Sequence, residues 1–253
     1  MQNIMDGIQD ALAAIEKQKH VKILYAVESG SRAWGVESPD SDYDVRFIYV
    51  HPKEEYLKLQ PVRDVIEWQL DDVLDINGWD LRKALQHFYK GNATLHEWCN
   101  SPIVYKCTPE WVEISQIGCS YFSEKASMYH YYGTAKSTYE NYLLQDDVKY
   151  KKYVYALRPL LACRYIENYH QIPPVLFDEL KEKMLPESIA QSVEAMLEIK
   201  KGSDEKDLLP QIPEIKSFID NEILRIATIM KTKTDDCERQ WEPLDKLFIR
   251  ILN

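Results

Sequence analysis

No run of about 18 apolar residues occurs in the 253-residue sequence, so no membrane-spanning helix is encoded. The start, Met1 to Asp6, lacks the basic and apolar regions of a secretory signal, and the expected location is cytoplasmic. No Cys-x-x-Cys occurs. Cys99, Cys107, Cys119, Cys163 and Cys237 are scattered, which argues against a zinc knuckle or a redox dithiol, and all five read as small buried hydrophobes. His20, His51, His87, His96, His130 and His170 form no zinc-binding spacing and read as structural. Positive charge is scarce: residues 1–112 carry 12 basic and 18 acidic residues, and residues 113–253 carry 19 and 23. Neither half is a basic module, so strong nonspecific nucleic-acid binding is not expected. No internal repeat is present. With 45% hydrophobic and 28% charged residues, the chain is neither disordered nor fibrous.

What is present divides along the chain. Apolar residues at Ile4, Ile8, Leu12 and Ile15 have helical spacing. Val21–Val27 and Asp44–Val50 read as strands, the second ended by His51-Pro52. Arg63–Leu70 and Val73–Ile76 read as further short strands, with Asp71 and Asp72 in a turn. Asp80 caps a helix over 81–90, closed by Gly91-Asn92. Beyond about residue 115 strand signals fade. Helical patterns cover 123–145, 149–169, 175–184, 187–200 and 213–231, with a polar loop at 201–206 and Pro159 expected to disturb the second of them or to start a new helix. The expected fold is α+β: an α/β half with a short mixed sheet, residues 1–115, then an all-helical half, residues 116–253.

The most informative stretch is GSRAWGVESPDSDYDVRFI, residues 30–48. A strand ends in Gly30-Ser31, and after a loop Asp42 and Asp44 lead into the next strand. Strand side chains alternate faces, so these two carboxylates point the same way. Like charges so placed call for a proton or a cation between them. Oxygen-only ligands suit Mg²⁺, which is usually shared with substrate phosphates. Gly30 permits close backbone approach to a phosphate and Ser31 adds a hydroxyl. The run Asp40-x-Asp42-x-Asp44 also begins like a calcium loop, but Val45 and His51 stand where that loop requires glycine and glutamate. A plain acidic turn before a strand is the remaining structural reading.

Gly-Ser followed about ten residues later by Asp-x-Asp at a strand start resembles the polymerase-beta-like nucleotidyltransferase superfamily. The segments GSRAWG (30–35), SPDSDYDVRFIYV (38–50), DINGWDLRKAL (75–85), GNATLHEW (91–98), SPIVY (101–105) and YALRPLLACRYI (155–166) resemble its YcgL / RNA-ligase-associated (RlaP-like) branch, and so cover most of the chain. The resemblance implies that residues 1–115 are the catalytic domain. It implies that Gly30 and Ser31 hold the triphosphate and that Asp42 and Asp44 are paired metal ligands. It also implies a third carboxylate on a later neighbouring strand. Asp75 is the choice, since it precedes the Asp80-capped helix by one short turn within a shared motif; Glu67 is the reserve.

The implied reaction is Mg²⁺-dependent, with two ions. A nucleoside triphosphate donates its nucleoside monophosphate to an acceptor hydroxyl on an RNA end, a protein or a small molecule, and pyrophosphate leaves. Arg32 either forks onto a phosphate or pairs with Glu28 or Glu37. Arg46 shares the strand face of Asp44 and either meets phosphate or balances the aspartates. In the helical half, Tyr129, Tyr132, Lys136 and Tyr139 form one helix face, read as packing or as a platform for a base; Lys152, Tyr155 and Arg158 pose the same choice. Trp34, Trp68, Trp79 and Trp98 read as core. Two further functions compete with the enzyme: a non-catalytic nucleotide- or RNA-binding protein on the same fold, and a regulatory interaction module.

Overall fold

A computed structural model describes residues 4–70, 73–202, 207–234 and 237–253. Asp71, Asp72 and residues 203–206 of the expected polar loop lie outside the described residues. The chain divides into two compact units, and the division is not contiguous in sequence. One unit comprises residues up to Ala33, Asp42–Phe122 and Glu238–Asn253; the other comprises Trp34–Ser41 and Ser123–Cys237.

The first unit is built on a five-stranded mixed sheet. Helix α1 (Ile4–Lys19) leads into β1 (Lys22–Ser29), one helical turn α2 (Gly30–Ala33), β2 (Tyr43–Val50), a second single turn α3 (Lys53–Tyr56), β3 (Val65–Leu70) and β4 (Leu74–Asp80). Then follow α4 (Leu81–Tyr89), α5 (Ala93–Cys99), β5 (Val104–Cys107) and α6 (Pro109–Cys119). The strand order is β3-β4-β2-β1-β5. Only β2 and β4 run parallel; the other neighbours are antiparallel.

Both faces of the sheet are covered, which explains why β1 and β2 read as near-continuous apolar runs. Val45, Phe47 and Tyr49 of β2 face one core with Ile8, Leu12 and Ile15 of α1. Ile48 and Val50 face a second core with Leu81, Leu85 and Phe88 of α4 and Trp111 of α6. The chain's last helix, α12 (Glu242–Ile251), belongs to this second core through Leu244 and Leu247. Asp80 caps α4 as expected, its side chain accepting the Arg82 N–H. Strand β4, however, runs unbroken from Leu74 to Asp80, so no turn separates Asp75 from the cap. Of the five cysteines only Cys163 is buried; Cys99, Cys119 and Cys237 are partly exposed and Cys107 is exposed at the end of edge strand β5, a correction to the buried reading of all five.

The second unit contains α7 (Glu124–Tyr142), β6 (Asp147–Val148), α8 (Tyr150–Tyr169), α9 (Phe177–Met184), α10 (Glu187–Gly202), β7 (Leu209–Pro210) and α11 (Pro213–Met230). Helix α8 is buried on nearly every face and passes through Pro159 without a break. The expected disturbance is thus corrected: surrounding burial offsets the about 3 kcal/mol that proline costs inside a helix. The segment 34–41 is anchored within this unit. The Phe177 N–H donates to the Trp34 carbonyl at 2.9 Å, and Lys200 Nζ donates to the Val36 carbonyl at 2.7 Å and to Ser38 Oγ at 2.8 Å.

Candidate active site

Strand β1 ends where Gly30 takes φ +62°, a left-handed value that suits glycine. A second demand falls on the same position: a Cβ there would lie 2.1 Å from Asp44 Oδ2. The close approach follows from register, since Ser29 pairs with Asp44 across the β1–β2 ladder. Ser31 and Arg32 follow in α2 and are partly exposed. Arg32 Nε donates to the Asp42 carbonyl at 3.0 Å, and its guanidinium lies 3.7 Å from the Tyr43 ring centroid. Arg32 therefore braces the start of β2, and its charge also acts on Glu28.

Asp44 on β2 is the register partner of Asp75 on the parallel strand β4. Arg46, two residues along β2 and on the same face, forks between them. Its Nη2 lies 2.9 Å from Asp44 Oδ1 and 2.7 Å from Asp75 Oδ2, and its Nη1 donates to the Asp75 carbonyl at 3.0 Å and the Val45 carbonyl at 3.2 Å. Asp75 Oδ1 is buried without a hydrogen-bond partner. Asp42 is exposed and stands one residue before β2 begins. Burial pushes the Asp44 carboxyl above the usual aspartate range; the Arg46 charge opposes this, and the charges of Asp75 and Asp42 add to it. Glu67 lies elsewhere, on edge strand β3, paired with Arg63 at 2.6 Å.

One residue of this site escapes the sequence patterns. Glu28, on β1, is fully buried. Its Oε1 accepts the Asp44 N–H at 2.7 Å, and its Oε2 accepts the Tyr105 hydroxyl. Burial raises its carboxyl pKa, while the bonds from Tyr105 and the Asp44 N–H pull it down. An acidic residue closing an otherwise apolar strand is the signal that points to it.

The donor set tests whether a divalent cation fits. Asp44 and Asp75 offer only oxygens, already share one cationic group, and leave one buried oxygen unused, which suits a hard cation. No three His, Cys, Asp or Glu side chains among the described residues form a ready-made metal cage. Arg46 takes the central place instead.

In the second unit the tyrosine face of α7 is mixed. Tyr129 is half-exposed, Lys136 pairs with Glu140 at 3.7 Å, and Tyr139 lies under Lys216 of α11. Arg158 is buried, donates to the Val175 carbonyl at 3.2 Å and covers Trp34 at 4.5 Å, so it packs. A cavity of about 840 Å³ opens in this unit beside Glu37, Lys181, Glu194 and Lys200; none of Gly30, Ser31, Arg32, Asp42, Asp44, Arg46 or Asp75 lines it.

A carboxylate pair thus stands at the start of two parallel strands, beside a glycine-serine turn, and the sequence as a whole belongs to the DNA polymerase beta class. The sequence model of the RNA repair pathway DNA polymerase beta family matches residues 4–250, and the chain belongs to that family. Membership supports an activity of the nucleotidyltransferase kind. The chain is 43% identical over 247 residues to the uncharacterized protein YcgL of Bacillus subtilis (strain 168), covering 97% of this chain and 95% of that protein. A crystal structure of a nucleotidyltransferase-like protein from Exiguobacterium sibiricum 255-15 aligns over 89% of this chain and 75% of its own, at 12% identity and a TM-score of 0.30. A likeness that distant carries no argument about this site. No helix among the described residues is long and apolar enough to cross a membrane.

Proposed function

We propose that this protein transfers a nucleoside monophosphate from a nucleoside triphosphate to an acceptor hydroxyl, with release of pyrophosphate. The observation that carries the reading is the register pairing of Asp44 with Asp75 around one shared cation, directly over Gly30. Asp44 and Asp75, joined by Asp42, would hold Mg²⁺. Bound there, the metal would neutralise phosphate charge and favour attack by the acceptor oxygen. Gly30 lets the Asp44 carboxylate lie against the backbone at the turn, and the Ser31 hydroxyl would add a phosphate contact there. Arg32 keeps the turn fixed to the start of β2. Glu28 holds the Asp44 backbone, so the carboxylate is set before substrate arrives.

The RNA repair description of the family favours an RNA end as acceptor over a protein or a small molecule. The net charge of −10 suits recognition of one end better than a long nonspecific contact.

The test is thermal unfolding with ATP, GTP, CTP or UTP, each with and without Mg²⁺, for the native protein and for the double variant Asp42→Asn/Asp44→Asn. Ligand at 100 times its dissociation constant stabilises by about 2.7 kcal/mol. A Mg²⁺-dependent rise with at least one nucleotide, abolished in the variant, is the expected result. A rise that persists in the variant removes the aspartates from the site. No rise with any nucleotide turns the reading toward the interaction module.

A further inference from the structure

Arg46 occupies the space a metal would need. Its guanidinium makes four hydrogen bonds, two to carboxylates and two to carbonyls, all around Asp44 and Asp75. The side chain is 18% exposed, against 32% and 31% for the two aspartates, so it lies deeper than its partners.

We propose that Arg46 is an internal counter-cation that a metal–triphosphate complex displaces, so that the site accepts metal and triphosphate together and binds the free metal ion poorly. The inference rests on the metal–nucleotide reading above and adds a determinant of what the site takes.

The argument is one of exclusion. Magnesium binds carboxylate oxygens at about 2.0–2.1 Å. A guanidinium nitrogen 2.9 Å from Asp44 Oδ1 and 2.7 Å from Asp75 Oδ2 already fills the gap between the two carboxylates. Two cations cannot share it without strong repulsion. A free metal ion must therefore break both ion pairs and gives the released guanidinium no new partner. A metal–triphosphate complex brings its own anion. The released fork then pairs with phosphate oxygens, a geometry that arginine matches bidentately. Metal and triphosphate affinities are thereby coupled, each raising the other by the same factor. Asp75 Oδ1, buried and without a partner, remains available to the incoming ion.

The test uses Mn²⁺, followed by its electron paramagnetic resonance signal, and inorganic triphosphate, which removes base preference from the question. The native protein, Arg46→Met and Arg46→Lys are each titrated with Mn²⁺ alone and with the preformed Mn²⁺–triphosphate complex. Folding of each is checked by its circular dichroism melt. Charge-assisted hydrogen bonds set the expected scale: Arg46→Met binds free Mn²⁺ roughly ten- to a hundredfold more tightly than the native protein. It binds the complex no more tightly. Arg46→Lys, a point charge unable to fork across both carboxylates, falls between, and it carries the comparison if Arg46→Met does not fold. Equal affinity of all three for free Mn²⁺ overturns the role of Arg46 while the metal site stands. No Mn²⁺ binding by any of them, alone or with triphosphate, overturns both readings.

Discussion

Strand β4 carries two aspartates five residues apart, Asp75 and Asp80, and their surroundings differ in kind. Asp80 is almost fully buried and both its oxygens are used: Oδ1 accepts the Arg82 N–H and Oδ2 the Tyr56 hydroxyl, each at 2.7 Å. Burial raises its carboxyl pKa, and the Tyr56 and Arg82 bonds pull it back. Asp75 is half-buried, spends one oxygen on an arginine it shares with Asp44, and leaves the other without a partner. A carboxylate saturated by its own fold is committed to holding that fold. One left unsaturated beside a shared counter-ion keeps capacity for something the chain does not contain.

Mutation separates the two. Asp80→Ala removes a helix cap and takes the acceptor from the part-buried Tyr56 hydroxyl and Arg82 N–H, at an expected cost of about 2–3 kcal/mol in chemical denaturation. Asp75→Ala loses one part-buried ion pair and is expected to cost less, about 1 kcal/mol, because Arg46 keeps Asp44. Equal costs would erase the distinction.

His96 asks whether every unsaturated group marks a site. It is 1% exposed, both ring nitrogens lack partners, and its neighbours are the rings of Phe88 and Phe122. Burial alone pushes its pKa down from 6.5 to about 4. The folded state thus resists the proton that the unfolded state takes up. The stability this contributes is complete above about pH 6.5 and is lost as pH falls toward 4. Between pH 7.5 and pH 5 the native protein should lose about 1–2 kcal/mol more than His96→Leu, measured by urea unfolding. The variant's Mn²⁺–triphosphate affinity should not change. A change there would mean that core unsaturation also serves the site.

Gly30→Ala is expected to cost about 1–2 kcal/mol in stability for an alanine at a left-handed φ. The added methyl meets Asp44, so the rise in melting temperature with Mn²⁺–triphosphate should disappear. Its survival would show that the carboxylate can turn aside without loss.

Local chemistry made much of this readable in advance. The Asp80 cap, the helices α7 to α11 of the second unit and the strands flanking Gly30 follow from periodicity and capping residues. Helices α5, α6 and α12 went unseen, although Asn92, Thr108-Pro109 and Trp241-Glu242-Pro243 are start signals for them. Their short apolar faces complete a core assembled from distant segments, and no window of sequence displays that. The site divides in the same way. Gly30, Asp42 and Asp44 announce themselves in one motif. The choice of Asp75 over Glu67 depends on which strand lies beside β2. The choice Arg46 makes, aspartates on both sides, depends on the same parallel register. Glu28 was hidden because only the fold brings Tyr105 against it.

The position of α12 bears on how the chain is made. Leu244 and Leu247 belong to the core that also contains Leu24, Ile48 and Phe88, more than 120 residues earlier in the chain. Between Phe122 and Glu238 the ribosome must deliver the whole of Ser123–Cys237. At about 5–20 residues per second, that is on the order of ten seconds during which an emerging sheet has one face incompletely covered. The helical unit can form while the sheet unit waits for its final helix. Until residues 238–253 emerge, that apolar face stays open to chaperones and proteases, so α12 acts as a late seal on the sheet unit.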